Sequence, residues 1–248
     1  MKMEKFIKEL DYIKSEDIKN FTKLALDNLP DYFYEVSASS TNRYHPSYAL
    51  GNGGLVRHTQ AATRFANHLF QIEHNQLAFT ERERDLIITS IILHDGWKHG
   101  DKGSKFTTHE HPQVCADWIR NNEIFNEVLP EEDRKIISDA ISSHMGQWNE
   151  NKRSKVVLNK PETEIQKFVH MCDYLASRKD IEVLFDDFKS TPVEKSDINT
   201  YKIGFGKHKG KFITEIAKDH RDYLVWMKED EKFVLQEPLK SFVDELLK

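Results

Sequence analysis

Six residues, His58, His94, Asp95, His111, His144 and Asp173, are of the types that hold divalent transition metals, and they recur in separate stretches of the chain. A neutral imidazole offers a lone pair and a carboxylate a full charge. Four histidines mixed with two aspartates therefore suit Mn, Fe, Co, Ni or Zn better than Mg, which prefers oxygen ligands. Six such side chains are enough for two ions, with Asp95 bridging the pair and His94 serving one of them. Two ions give a route to hydrolysis, because they acidify a bound water and neutralise charge on phosphate oxygens. One histidine alone on an apolar helix face is more often a hydrogen-bonded core residue. Several buried together would be left uncompensated unless something paired with them, and a metal is such a partner.

The elements that must position these residues read as helices. Ser15 precedes a stripe of Ile18, Phe21, Ala25 and Leu29 that ends near Pro30. From about Leu55, His58 shares a face with Ala62, Phe65, Ala66 and Leu69 and points inward. Thr80 and Glu83 form a capping-box pattern before DLIITSIIL, which is apolar nearly all round and predicts a central helix delivering His94 and Asp95. HPQVCADWI predicts a helix with Pro112 in its first turn, Pro130 opens another that carries Ile137, Ile141 and His144, and a last one starts near Pro161 with Asp173 beside the stripe of Ile165, Val169, Cys172 and Ala176. The fold class expected is mainly α. Each candidate ligand is expected at the inner edge of a helix.

Apolar residues make up 38% and charged residues 31% of 248, a balance that excludes a disordered chain and a membrane-embedded one. The N-terminal MKMEKFIKELDYIK lacks the apolar core of a signal peptide, so the expected location is the cytoplasm. Cys115 and Cys172 lie in apolar helical patterns and read as buried thiols. The formal charge of -5 argues against a uniformly basic coat for nucleic acid, although Lys98, Lys102 and Lys105, with Lys152, Arg153, Lys155 and Lys160, form either a steering rim or ordinary solvated loops.

The segments GGLVRHT, ILHDGWKHG, HEHPQVCADWI, ISSHMGQW and HMCDYLASR, in this order between about Tyr44 and Lys179, resemble the HD superfamily of metal-dependent phosphohydrolases. The resemblance implies an HD-domain helical bundle with His58, His94, Asp95 and Asp173 as the ligands common to its members. His111 and His144 stand where two-metal members carry further histidines. His111 is preferred over His109 because it immediately precedes a helix, and His109, His99 and His170 are read as loop or surface residues. Lys98, in the form HDxxK, corresponds to a lysine that holds phosphate in the family and is the expected catalytic partner of Asp95; the alternative is a solvated loop lysine. Arg178 is read as a substrate contact or a surface ion-pair partner, and His45 as a substrate contact or a turn residue.

RYHPSYALGNGGLVRHT also resembles the start of the HD domain in certain bacterial 3'-to-5' exoribonucleases. The stretch before His58 is helical in pattern and too short for the oligonucleotide-binding barrel those enzymes carry there. Beyond Arg178 the apolar pattern weakens, and a polar linker at 190–200 separates residues 1–189 from a small C-terminal module at 201–248. Its YKIGFGKHKGKFITEIA predicts two short strands around a Gly-Lys turn and then a helix, hence a small α+β module. GFGKHKGKFITEIAKDHRDYLVWM resembles the C-terminal module of exonuclease X-like proteins. That likeness makes Lys207, Lys209 and Lys211 candidates for phosphate contact, with Tyr223 stacking or packing and Trp226 assigned to the core. The expected substrate is a phosphorylated small molecule or a nucleic acid, cleaved at a phosphomonoester or phosphodiester. Two rival readings are an HD-fold di-iron oxygenase and a non-catalytic regulator that binds nucleotide or nucleic acid.

Overall fold

The computed structural model describes residues 2–39, 45–101, 104, 106–152, 154–181, 183, 185, 197–230, 235 and 239–247. Lys102, Lys105 and Arg153 of the expected basic rim, Arg43 and Tyr44, and positions 190–196 of the expected linker lie outside the described residues. The chain divides into two compact units, Met1–Phe188 and Lys189–Lys248.

The first unit is helical: α1 (Ile7–Leu10), α2 (Glu16–Asn28), α3 (Gly54–Leu69), α4 (Glu73–Ala78), α5 (Glu81–Leu93), α6 (His111–Asn121), α7 (Glu131–Ser142) and α8 (Glu164–Ala176). Its centre is α5, which packs against α2, α3, α7 and α8. The Thr80 hydroxyl accepts from Glu83 N at 3.2 Å while Glu83 accepts from Thr80 N at 2.8 Å, so two of the helix's orphan donors are satisfied at its start. Every residue from Asp85 to Leu93 is buried. A helix buried all round needs its polar positions paired. Thr89 meets Thr22 at 2.8 Å, and Asp85 accepts from Lys14 N at 3.0 Å and Ser15 N at 2.7 Å.

On α3, small side chains at Ala61, Ala62 and Ala66 let its buried face approach α5 and α8. The helix begins at Gly54 because nothing larger fits: a Cβ there would lie 2.4 Å from Ala49 O. A capping box of Thr163 and Gln166 starts α8. Its Phe168 stacks on Phe70 at 4.8 Å and meets Phe79 edge-on at 5.3 Å, fixing α8 against the C-terminal ends of α3 and α4. Cys115 and Cys172 are buried free thiols, and Cys115 Sγ donates to Leu93 O at 3.2 Å.

The second unit contains α9 (Ile213–Asp219), α10 (Arg221–Glu229) and α11 (Leu239–Leu246) around Ile203, Ile213, Ile216, Leu224, Met227, Leu239 and Val243. The two expected strands do not form. Among the described residues there is a single antiparallel bridge, Lys202 with Phe212, so the unit is helical, not α+β. Gly206 (φ 68°) and Gly210 (φ 88°) make the turn between the two segments, and α9 begins at Ile213, directly after Phe212, which leaves no extended run for a ladder. Trp226 is 46% exposed and does not belong to the core to which its apolar surroundings assigned it. On α10 the inward positions are Leu224 and Met227, three apart, and Trp226 falls on another side. Among the described residues, no helix is long and apolar enough to cross a membrane.

Candidate metal centre

Three histidine rings are oriented by the backbone three residues earlier. His94 Nδ1–H donates to Ile91 O at 2.6 Å, His111 Nδ1–H to Thr108 O at 2.6 Å, and His144 Nδ1–H to Ile141 O at 2.8 Å. A carbonyl can only accept, so the proton of each neutral ring sits on Nδ1 and Nε2 presents a lone pair. Ile91 and Ile141 lie in the last turns of α5 and α7, where carbonyls lack an intrahelical partner. The central helix delivers His94 and Asp95 at its end, with His94 as the cap of α5 and Asp95 after it, whereas His144, expected on the face of Ile137 and Ile141, lies two residues past α7.

The Nε2 atoms of these rings, joined by that of His58, converge on Asp95. Its Oδ1 lies 3.0 Å from His111 Nε2 and 3.7 Å from His144 Nε2, and its Oδ2 lies 3.5 Å from His94 Nε2 and 3.9 Å from His58 Nε2. Asp173 Oδ1, from α8, is 3.0 Å from His58 Nε2 and 3.5 Å from His94 Nε2. Ligand atoms within 4.8 Å of one another form three groups: His58, His94 and Asp95; His94, His144 and Asp173; and Asp95, His111 and His144. His58, His94, Asp95, His111 and His144 are at most 2% exposed.

The donor set fits divalent cations on two counts. His94 Nε2 and Asp95 Oδ1 are buried without a hydrogen-bond partner, and a lone pair facing carboxylate oxygens at these distances repels them unless a cation or proton lies between. Charge points the same way. Burial by itself lowers the His94 pKa, but Asp95 and Asp173 outweigh it and raise the imidazole to about 10. Burial works against both carboxylates, yet Lys98, His94 and His111 hold Asp95, and His58 and His94 hold Asp173, well below the usual carboxylate range. His144 is lowered to about 3, first by burial and then by the neighbouring His94 and His111, so it stays neutral, as a ligand must.

Around this cluster, Lys98 is not a solvated loop residue: it is 7% exposed and its Nζ donates to Asp95 Oδ2. The half-buried His45 ring lies 4.9 Å from that of His58, and burial followed by the charges of His58 and Lys98 lowers it to about 3. Between the two neighbouring histidines, His111 enters the cluster while His109 Nε2 is 3.2 Å from Asn149 O, outside it. His99 stacks on Tyr32 at 4.8 Å. Arg178 lies over the Tyr174 ring at 4.2 Å and donates to Ser177 Oγ, without joining the cluster. Lys152, Lys155 and Lys160 are exposed. In the second unit, Lys207, Lys209 and Lys211 are exposed around the turn closed by Ile203 N to Lys211 O at 3.0 Å and Gly210 N to Ile203 O at 2.7 Å.

Residues 203–232 match the family model of the exodeoxyribonuclease X-like C-terminal region. No curated protein and no solved structure matches the chain. The matched segment contains the lysine-bearing turn, α9 and α10.

Sequence reading missed the supports of His144. His170 is on α8 and half-buried, and its ring is tied inward: its Nδ1–H donates to His144 O at 2.6 Å, while its Nε2 lies 3.1 Å from Gln147 Oε1 at the surface. Gly146 (φ 57°) makes room for that ring, since a Cβ there would come within 2.3 Å of it. The spacing of His170, Asp173 and Tyr174, three and four apart on one helical face, was the available signal. Trp148 was also missed; its ring lies 5.7 Å from that of Tyr174 at 12°.

Proposed function

We propose that the chain is an HD-type metal-dependent phosphohydrolase that cleaves a phosphomonoester or phosphodiester of a nucleotide or nucleic acid. The observation that carries this reading is the set of backbone-oriented imidazoles aimed at the two oxygens of one buried carboxylate. His58, His94, Asp95 and Asp173 would hold one divalent ion, and Asp95, His111 and His144 a second, with Asp95 shared. Ions of the Mn, Fe, Co, Ni or Zn class would supply Lewis acidity towards a water and a phosphate oxygen.

The protein's own groups prepare that chemistry. Asp95 stays ionised because Lys98 is paired with it, and its two oxygens then address both halves of the ligand set. The Lys98 ammonium is held beside the centre, where an N–H not used by Asp95 serves a phosphate oxygen. His45 and Arg178 are the proposed substrate contacts on either side, His45 as a neutral imidazole next to His58 and Arg178 beyond Asp173 on the α8 side. Residues 1–189 form the catalytic part in this reading, 190–200 a linker and 201–248 a module that selects substrate. The exodeoxyribonuclease X-like match supports a nucleic acid as substrate, with Lys207, Lys209 and Lys211 on its phosphates.

The test is a screen with Mn, Fe, Co, Ni, Zn and Mg against nucleoside mono- and triphosphates, cyclic nucleotides and labelled single-stranded RNA and DNA. Asp95→Ala is expected to remove both bound metal and hydrolysis. Full hydrolysis by that variant, with no metal bound, overturns the mechanism, and oxygen consumption without phosphoester cleavage transfers the site to oxygenase chemistry.

A further inference from the structure

Beside the candidate centre lies a run of flat side chains, one of them the proposed substrate contact Arg178. Tyr174 follows Asp173 on α8, Arg178 covers the Tyr174 ring at 4.2 Å, and Trp148 stacks on Tyr174 at 5.7 Å and 12°. His170 adds a third ring, 6.2 Å from Trp148 and 6.3 Å from Tyr174, while bonded to His144 O. The run is thus tied to the ligand set through both Asp173 and His144.

Its exposure is unusual for its composition. Trp148 is 46% exposed while its indole stacks on the Tyr174 ring. Tyr174 and Arg178 are only half-buried. A large indole held flat by a second ring, open to solvent, and accompanied by a guanidinium on the same π-stack provides what an unpaired nucleobase needs: a planar apolar surface and a cation to polarise it. Stacking of this kind tolerates any base, because every base has a π-face, whereas an aliphatic ligand gains little from it.

We propose that Trp148, Tyr174 and Arg178 form a base-stacking subsite that seats a nucleobase next to the metal-binding cluster and so restricts the substrate to base-bearing phosphoesters. The proposal rests on the phosphohydrolase reading for what the neighbouring centre does, but base binding itself needs no turnover. A free nucleotide and an unpaired nucleotide of a single strand share this chemistry.

The test is equilibrium binding to the full chain, in chelator so that nothing is hydrolysed, of adenosine, AMP, ribose 5-phosphate and a short single-stranded oligodeoxyadenylate. Adenosine and AMP are expected to quench tryptophan emission and ribose 5-phosphate not to. Trp148→Ala is expected to weaken adenosine and AMP roughly tenfold, and Trp148→Phe to restore binding without the quench. Tyr174→Leu, which keeps apolar bulk but removes the π-face, guards against a Trp148→Ala protein that folds poorly and should reproduce the loss. Oligonucleotide affinity that falls in Trp148→Ala as AMP affinity does assigns the subsite to single strands, and oligonucleotide affinity that the substitution leaves unchanged assigns it to free nucleotides. Absence of adenosine binding, or equal weakening of AMP and ribose 5-phosphate in Trp148→Ala, overturns the proposal. Nucleoside binding that persists in a protein hydrolysing no phosphoester with any metal rejects the phosphohydrolase reading instead, and leaves the subsite standing.

Discussion

Asp95→Asn separates a metal-binding cluster from a merely polar core. In the folded chain Asp95 Oδ1 faces His111 and His144 while Oδ2 faces His94, His58 and Lys98. Asparagine keeps the shape but removes the charge and replaces one oxygen with an NH2 group that cannot ligate. One whole side of the cluster therefore loses its carboxylate oxygen. The substitution also leaves the buried Lys98 without its counter-ion, and breaking a buried pair costs about 3–5 kcal/mol. The baseline melting temperature of the variant falls for that reason alone, so the informative quantity is the increment produced by metal. A ligand at a thousandfold excess over its Kd stabilises the folded state by about 4 kcal/mol. In a domain of this size each kcal/mol is worth roughly 2–4 °C, which makes the expected wild-type increment ~8–16 °C. Differential scanning fluorimetry with Mn, Co, Ni or Zn against a chelator control reads it directly. Asp95→Asn should show an increment of less than about a quarter of that. An undiminished increment would mean that Asp95 holds no ion and that the inward-facing imidazoles serve another purpose.

Three further outcomes follow from individual contacts. Gly146→Ala forces a left-handed backbone on a residue with a Cβ and drives that Cβ into His170; a loss of about 1–3 kcal/mol in chemical denaturation is expected, together with weaker metal binding because His170 supports His144. Arg82 pairs with Asp17 at 2.7 Å and also donates to Asp133, and its hydrogen bond, the largest influence on Asp17, lowers that carboxyl below 3.8. A folded-state pKa below the unfolded one gives stability that is complete above the unfolded value and disappears as pH falls through the folded value. Asp17→Asn should therefore remove a small acid-limb contribution, under about 1 kcal/mol because the pair is partly exposed, seen as a smaller loss of stability between neutral pH and pH 2 than in the parent chain. Replacing Lys207, Lys209 and Lys211 together by Ala should flatten the salt dependence of single-strand binding by a slope of about 2, as three phosphate contacts would, and an unchanged slope would place those lysines off the nucleic acid.

The helices were legible because each has a physical signature in the chain. Thr80 and Glu83 announce the start of α5, and the unbroken apolar run after them requires burial on every side. Periodicity also placed His58 on an inward face. What periodicity could not show was where helices end relative to the candidate ligands. His94, Asp95 and His144 lie at or just past helix ends, and only the folded backbone reveals that the last-turn carbonyls are what orient the rings. Lys98 was ambiguous for a related reason: its charge suggests solvent, and only the proximity of Asp95 explains its burial. In the second unit, β-type residues such as Ile203 and Phe212 suggested strands, but α9 begins directly after Phe212 and leaves them a single bridge. Trp226 misled because aromatic character predicts burial only when the helical face agrees.

The orientation of His94, His111 and His144 by carbonyls three residues back has an evolutionary consequence. In many metal sites the group that fixes a histidine is another side chain, which mutation can exchange and drift can erode. Here the fixing groups belong to the main chain at Ile91, Thr108 and Ile141, whose side chains are free to change while the carbonyl stays. Selection on ring orientation therefore acts on the shape of three short turns and leaves little trace in residue identity. In diverged members of such a lineage, the histidines and aspartates themselves would persist as isolated letters in otherwise variable text.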